Sequence, residues 1–504
     1  MAPASMPSSP SIPRPIKAPT SLPSSIASSL VRLLKESRPA GLSRCFILSG
    51  RWPHPGRWRD SAQVTWNTRF RLRQYLKGSI WVVPFIGGVL GAVLGLVEPR
   101  LDEAVSLPQS WQYSPSTATA VLAAIIGATA ALTGFVVTVT LLAVQMAIDT
   151  FSARYMRLWY RDRALKAVLA VLIATLAFSF ALLRRVEPDF VPTIGVAVAG
   201  VCMLGGLLFF MVFLDRMLHR LRPVAVAALV ARAGREAFEV GTRRLEAFAD
   251  EPDRGLEPCS TVRSEHAGTI QAIDERGLVG WARKHDRVLF MPHAIGDFVP
   301  AGLPLVEVLG AAGEPNGDER RLAEMFALGA ERTIEQDPAF ALRIMVDIAN
   351  KALSAAINDP TTAVQVLDHM TELLRYIGAT PLDGRTRVMR DDAGTIRIVA
   401  RGRQWEDYLA LATTEVRVYG AGAIQVLRRL RAMLLELHGT VLPEHRAAIE
   451  AELEHLAATV KLNFGDSVDF DRAATPDRQG IGGPKASARL EQERLLPASR
   501  SSQA

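Results

Sequence analysis

The stretch Thr119–Ile148 reads TAVLAAIIGATAALTGFVVTVTLLAVQMAI and holds no charged residue and no histidine. A run of about 18 or more apolar residues can cross the ~30 Å hydrocarbon core as a helix, which satisfies every backbone group within the segment. Three further segments share this character: Ser79–Val97, Ala167–Leu183 and Ile194–Leu214. The chain therefore reads as a membrane α-helical protein with four transmembrane helices. Thr119–Ile148 is longer than a bare crossing, so it is expected to tilt or to project beyond the bilayer.

Basic residues set the expected orientation. Arg69, Arg71, Arg73 and Lys77 precede the first segment, and Arg154, Arg157, Arg161, Arg163 and Lys166 separate the second from the third. Arg216, Arg220 and Arg222 follow the fourth. The opposite connections set Arg100 among Glu98, Asp102 and Glu103, and Arg184–Arg185 before Glu187 and Asp189. By the positive-inside rule both termini are cytoplasmic, and the protein is expected in a bacterial inner membrane. The net charge of +7 suits an anionic leaflet. No basic stripe with interleaved aromatics marks a nucleic-acid surface, so nucleic acid is not an expected partner.

The remaining organisation follows from composition and pattern. Residues 1–68, basic and rich in Ser and Pro, are expected to be disordered, as is the tail 473–504. Residues 69–222 form the transmembrane domain. The cytosolic region is α+β, with an amphipathic helix and a small barrel-like β segment over 223–310 and a mainly helical bundle over 311–472. Within the β segment, Gly296–Asp297–Phe298–Val299–Pro300–Ala301–Gly302–Leu303–Pro304–Leu305 looks like the turn of barrel-sandwich folds that include lipoyl and biotinyl carriers. Lys284 is the one lysine there, and its neighbours do not make a hairpin tip, so a structural barrel without cofactor is expected. Asp337–Pro338 and Asp359–Pro360 each read as an N-cap followed by proline at the first helical position. Arg387–Met389 and Thr395–Ala400 read as a hairpin, and Trp405–Tyr419, Ala423–His438 and Pro443–Leu462 as helices.

Three sets of residues are candidates for function. Gly87, Gly91 and Gly95, with Gly127 and Gly134, lie on small-residue stripes that let helix backbones approach; packing within the four-helix assembly is the plainer reading, an oligomerisation face the sharper one. Thr129, Thr133, Thr140 and Gln145, with Thr138, would line an aqueous path, unless the hydroxyls bond back to their own helix. Asn358, Asp359, Thr361 and Thr362 gather at a helix N-terminus, where free N–H groups attract an anion and capping alone also accounts for them. The uncharged segments speak against proton relays, ion-coupled carriers and voltage sensors. Cys45, Cys202 and Cys259 match no metal or disulfide spacing. With no His-Glu-x-x-His, nucleophile elbow or phosphate loop in the chain, no catalytic, cofactor or metal residue is assigned.

Several strings together resemble a known family. They are Trp81–Val82–Val83–Pro84; Gln145 with Phe151–Ser152–Ala153–Arg154; Arg161–Asp162–Arg163; Gly296–Asp297–Phe298–Val299; Ala352–Leu353–Ser354–Ala355–Ala356–Ile357–Asn358–Asp359–Pro360–Thr361–Thr362–Ala363; Glu406–Asp407–Tyr408–Leu409; and Tyr419–Gly420–Ala421–Gly422. The chain resembles, from about Trp81 to Asp469, the bacterial predicted membrane proteins catalogued as domain of unknown function twenty-two fifty-four. The family usually has proline where Ala153 and Ala355 stand here. The resemblance implies four spans and a cytosolic domain, and no activity.

Three functions compete. One is an oligomeric channel or passive transport component with a cytosolic regulatory domain. Another is a membrane-anchored scaffold or sensor whose cytosolic domain binds a protein or small anion. The third is a membrane-tethered enzyme. The expected partners are the lipid bilayer and further copies of the chain, with the ligand, small molecule or protein, left open.

Overall fold

The computed structural model describes residues 65–104, 112–150, 162–220, 222–242, 247–249, 258–310, 319–382 and 386–482. The expectations for 1–64, for 483–504 and for the basic residues Arg154, Arg157 and Arg161 lie outside the described residues.

Five helices open the described chain: α1 (Trp66–Gly78), α2 (Val82–Ala104), α3 (Pro115–Thr150), α4 (Arg163–Leu183) and α5 (Thr193–Arg220). Helices α3, α4 and α5 are each long and apolar enough to cross a bilayer; α1 and α2 qualify only as one broken span, bent by 75°. The described chain thus has three such helices, or four with the bent pair. The break falls at the start of the expected first segment, Ser79–Val97, most of which lies in α2. Gly78 ends α1, Ser79 is extended at φ −77° and ψ 128°, and Pro84 sits in the first turn of α2, where a missing N–H is tolerated. The Lys166 ammonium on α4 donates to Lys77 O at 2.6 Å and Leu76 O at 3.4 Å, supplying donors to the carbonyl end of α1.

Helix α4 lies at the centre, against α2, α3 and α5. The glycines of α2 face it. A Cβ at Gly87 would lie 2.7 Å from the Ala170 carbonyl oxygen, one at Gly91 would strike the Ala174 carbonyl, and one at Gly95 would lie 2.8 Å from Phe178 O. Residue numbers rise together along this seam, so α2 and α4 run parallel. A Cβ at Gly127 or Gly134 on α3 would meet nothing within 4 Å. The α3 threonines bond to their own helix, with Thr129 donating to Ile125 O at 2.7 Å, Thr133 to Thr129 O at 2.7 Å, Thr138 to Gly134 O at 3.0 Å and Thr140 to Val136 O at 2.7 Å. Thr129 and Thr140 are buried, whereas Gln145 is exposed and lies on another face of α3. At the far end of α2, the buried Glu98 carboxylate packs on Gly195 in the first turn of α5, where the helix dipole favours negative charge.

After a two-residue break, α6 (Pro223–Thr242) continues from α5 and seats on two later helices, α9 (Pro338–Ala352) and α10 (Pro360–Gly378). One hydrophobic cluster runs without interruption from Ala143, Leu172, Phe213 and Met217 on the apolar helices through Val226 and Val230 on α6 to Met345, Leu367, Trp405 and Leu430. The strands β1 (Ala247–Ala249), β2 (Pro258–Arg263), β4 (Val288–Met291), β6 (Pro304–Leu309), β8 (Thr386–Arg390) and β9 (Ile396–Arg401) form one sheet in the order β1-β8-β9-β4-β6-β2. Strands β3 (Gly268–Ile273), β5 (Phe298–Val299) and β7 (Phe326–Gly329) form another, β5-β3-β7. Among the described residues only β4 and β9 pair in parallel, Leu289 opposite Ile398.

The barrel-like segment is therefore corrected: among the described residues the strands form two open sheets. Consecutive strands β2 and β3 go to different sheets, and a helix, α7 (Glu275–His285), stands where further strand was expected. Asp274 caps α7 by accepting from Gly277 N at 3.1 Å, and Asp286 ends it in the left-handed region at φ 48°. Lys284 thus lies in the last turn of a helix. The expected β8–β9 hairpin is present, its turn held by Asp391 Oδ1 accepting from Ala393 N and Thr395 N, each at 3.0 Å. Beyond a short helix, α8 (Glu319–Ala323), the described chain is completed by α11 (Trp405–Tyr419), α12 (Ile424–Thr440), α13 (Arg446–Phe464) and α14 (Phe470–Ala474). Of the tail expected to be disordered from 473, the residues to Gly482 are held against α12, with Arg428 Nε donating to Thr475 O at 3.1 Å.

The α2–α4 seam has a direct test. Replacing Gly91 with leucine drives a side chain into the Ala174 backbone and is expected to lower stability by about 1–3 kcal/mol, an overpacking penalty. Gly127→Leu meets open space and leaves the monomer's melting temperature unchanged. Thermal unfolding of both variants in detergent checks the contrast, and equal losses would contradict the packing described.

Candidate functional site

The Asn358–Thr362 segment has the geometry of a cap. Asp359 Oδ1 accepts from Thr362 N at 3.0 Å and Oδ2 from the Thr362 hydroxyl at 2.5 Å. Asn358 is exposed in the left-handed region at φ 48°, and Gln425 donates to the Thr361 hydroxyl at 3.5 Å. Asp337 and Asp347 are not drawn to this point: Asp337 caps α9, and Asp347 binds Arg343 at 2.7 Å. No group of three or more His, Cys, Asp or Glu side chains is placed to hold a metal ion among the described residues.

A different set of residues does converge. A shallow cleft, with about 20 Å³ of enclosed space, opens where the C-terminal end of α6, the segment leading into α9, strand β8 and the start of α11 meet. Gly241, Thr242, Gln336, Arg387, Arg403 and Tyr408 line it. They come from four separate parts of the chain, and several are fixed by local contacts. Gln336 is locked to strand β3, accepting from Ile273 N at 2.9 Å and donating to Ile273 O at 3.2 Å. Arg387 projects from β8 and donates from Nη2 to Gly241 O at 2.7 Å. Tyr408 is 7% exposed, with its ring edge-on to Phe238 at 6.5 Å between centroids.

The charges in this cleft are not balanced in the way they are elsewhere. Arg397 holds Asp391 at 2.7 Å and Asp286 at 2.9 Å, and Arg429 holds Asp368 at 2.7 Å. Arg343 ties α9 to α11 through a two-pronged bond to Glu415, which also accepts from Asn350 Nδ2 at 2.8 Å. Neither Arg387 nor Arg403 has a carboxylate within 4.0 Å among the described residues, and Arg387 Nε is buried without a hydrogen-bond partner there. Burial pushes the Arg387 pKa below the usual guanidinium value, only partly offset by nearby Tyr408 and Glu275. Burial likewise pushes the Tyr408 phenol up to about 12.

Beneath the cleft stands Asp337, 2% exposed. Its Oδ1 accepts from Phe340 N at 3.2 Å, while Oδ2 is buried and packs on the Cα side of Gly296. Gly296 has φ +94°, so a side chain there would be strained as well as blocked by the carboxylate. Burial raises the Asp337 pKa, with Arg403 and Arg332 pulling part of the shift back without forming an ion pair. A second and larger hollow, of about 240 Å³, lies between α6 and α10 and is lined by Arg232, Arg235, His369 and Glu372. Arg235 there is already engaged, with Glu239 at 3.2 Å and over the Tyr376 ring at 4.3 Å.

None of the cleft's lining residues stood out in the sequence as a site. The available signals were the Asp337–Pro338 cap and the Gly296 and Tyr408 strings, which the fold brings to one place. Asp337 generates a pH prediction. Because its folded pKa is raised, the folded state binds the proton more tightly than the unfolded chain, and stability is lost as pH rises from the unfolded value through the folded one. Asp337→Asn keeps the cap without the charge, so its melting temperature is expected to gain on wild type as pH rises from about 4. Wild type gaining on the variant over that range would show a carboxylate stabilised by its surroundings.

The family of predicted membrane proteins DUF2254 matches residues 77–436. Uncharacterized proteins of two Mycobacterium tuberculosis strains and of Mycobacterium bovis are each 26% identical to the chain over 464 residues, covering 86% of it and 86% of their own length. No solved structure matches. The family match takes in the apolar helices, both sheets and the cleft, and the protein belongs to this family of predicted membrane proteins of unknown function.

Proposed function

We propose that the protein is a membrane-anchored sensor, with four spans, both termini in the cytoplasm of a bacterial inner membrane, and a cytosolic α+β region that binds a ligand and passes its state to the spans. One observation carries this reading: the hydrophobic core is continuous from the inner ends of α3, α4 and α5 through α6 into α9, α10 and α11. A tethered domain with an independent role needs no such core, since a flexible linker suffices. The parallel run of α2 and α4 supports four crossings, because the first and third passes of an alternating chain share a direction. The threonine hydroxyls of α3 are bonded to their own backbone, which leaves the channel reading with less support. The exposed Gly127–Gly134 face of α3 leaves room for a second copy of the chain, and on that ground the sensor is read as a homo-oligomer.

Orientation is tested with compartment-sensitive reporters fused after Ser106 and after Leu462. The reading expects a cytoplasm-dependent reporter to be silent at the first position and active at the second, and the reverse pattern would invert the topology. Coupling is tested at Gly234, where a Cβ would lie 2.7 Å from Ala341 Cβ and 2.9 Å from Leu373 Cδ2. Gly234→Val lifts α6 from its seat and is expected to weaken hydrogen-exchange protection in Ala143–Ala147 and Phe213–Met217 as well as in α9. Loss confined to α9 and α10 would leave the spans uncoupled and end the sensor reading.

A further inference from the structure

We infer that the cleft between α6, β8 and α11 is a binding site for a phosphate-type oxyanion, held by the guanidinium groups of Arg387 and Arg403 and the hydroxyl of Tyr408. This rests on the reading of the cytosolic region as the ligand-binding part, and it names the site and the chemistry.

The donors are of one kind. An arginine carries five N–H donors and no acceptor, and it cannot shed its charge at any ordinary pH. Arg387 uses Nη2 on Gly241 O and leaves Nε buried and unbonded among the described residues. Arg403 enters no hydrogen bond or ion pair there, although it lies close enough to Asp337 to affect its titration. Tyr408, more than nine-tenths buried, lines the same cleft as both arginines, and its hydroxyl makes no hydrogen bond among the described residues. A half-buried guanidinium without a paired carboxylate is costly, and so is a buried donor without an acceptor, as Arg387 Nε is among the described residues. An oxyanion satisfies all three groups at once. A tetrahedral dianion fits best, since it offers several acceptor oxygens to donors arriving from different elements and neutralises two guanidinium charges.

The apolar side of the cleft sets a limit on the rest of the ligand. Phe238, Pro338 and Leu382 complete the lining, so the anion sits at one end of a partly apolar slot. A free phosphate and the headgroup of a phospholipid share this chemistry, and the experiment separates them.

Full-length protein in detergent is titrated with inorganic phosphate and, separately, with a short-chain phosphatidic acid, against chloride at matched ionic strength. Melting temperature and isothermal calorimetry are the readouts. Wild type is expected to show saturable stabilisation by at least one of the two, and the one that saturates identifies the source. Arg403→Gln is expected to weaken that affinity roughly 10- to 100-fold, the loss of one charge-assisted contact. Tyr408→Phe keeps the buried ring and removes only the hydroxyl, so it is expected to weaken binding while leaving the ligand-free melting temperature close to wild type. Absence of saturable binding of either probe to wild type overturns the inference, and a side chain of the chain itself filling the cleft would give that result. Wild-type affinity in both variants also overturns it. The exchange experiment on Gly234 uses no ligand, so failure here leaves the coupling of spans to cytosolic helices standing, and failure there leaves the site standing.

Discussion

The helices α9 and α10 are joined to the apolar helices by the seat of α6. The helix begins at Pro223, two residues after α5 ends, and at Gly234 its backbone lies against Ala341 of α9 and Leu373 of α10. A connection this short leaves α6 no freedom to choose a place apart from the last apolar helix. Proline at its first position is compatible with an immediate restart, since the missing N–H is one that the first turn would leave unbonded anyway. The glycine then removes the side chain that would hold the three helices apart. Close-packed interiors transmit displacement because they have few voids to absorb it. On the sensor reading proposed above, a shift of α5 passes to α6 and through it to the core that contains Met345, Leu367 and Trp405.

Within the membrane the governing contact is of the same type, with a different driving force. Lipid tails are as apolar as leucine, so burial of apolar surface does not by itself draw α2 to α4. Close approach at Gly87, Gly91 and Gly95 does, through dispersion and weak polar contacts between backbones. Charges enter this region only where a helix end receives them. The Lys166 ammonium is spent on the carbonyl end of α1, and the Glu98 carboxylate lies at the amide end of α5. Both placements oppose a helix dipole of the appropriate sign. The uncharged stretches between them are what made the membrane character plain in the sequence.

Much of the fold could be read from such local signals. Uncharged runs located the apolar helices, Asp337–Pro338 and Asp359–Pro360 located the starts of α9 and α10, and the Asp391–Gly394 turn located the β8–β9 hairpin. The misreadings have physical causes. The break before α2 falls where the polar α1 gives way to the apolar run, with Gly78, Ser79 and Pro84 around it, so the run alone did not show that a helix precedes it at an angle. Helix α7 carries its own cap at Asp274, but a template of short strands and glycine turns hid it. The cleft was beyond reach for another reason. Arg387, Arg403 and Tyr408 are unexceptional in isolation, and Gln336 and Gly241 reach them only through pairings of helix and sheet that no local pattern encodes.

The contrast between paired and unpaired arginines gives the cleft its meaning. Arg343, Arg397 and Arg429 stand at element junctions, and each is matched by a carboxylate, so removing them would disturb architecture. Arg387 stands at a junction too, yet its one hydrogen bond goes to a neutral carbonyl, that of Gly241 in the last turn of α6. An anion entering the cleft competes for the same guanidinium. To the extent that it draws Arg387 away, it frees a carbonyl at the end of the helix that leads directly from the last apolar segment. If an anion draws Arg387 from Gly241 in this way, linkage makes a state of α6 in which that bond is already broken the one that favours the anion. The two halves of the molecule are thus joined twice, by the packing of Gly234 and by one hydrogen bond that a ligand can contest.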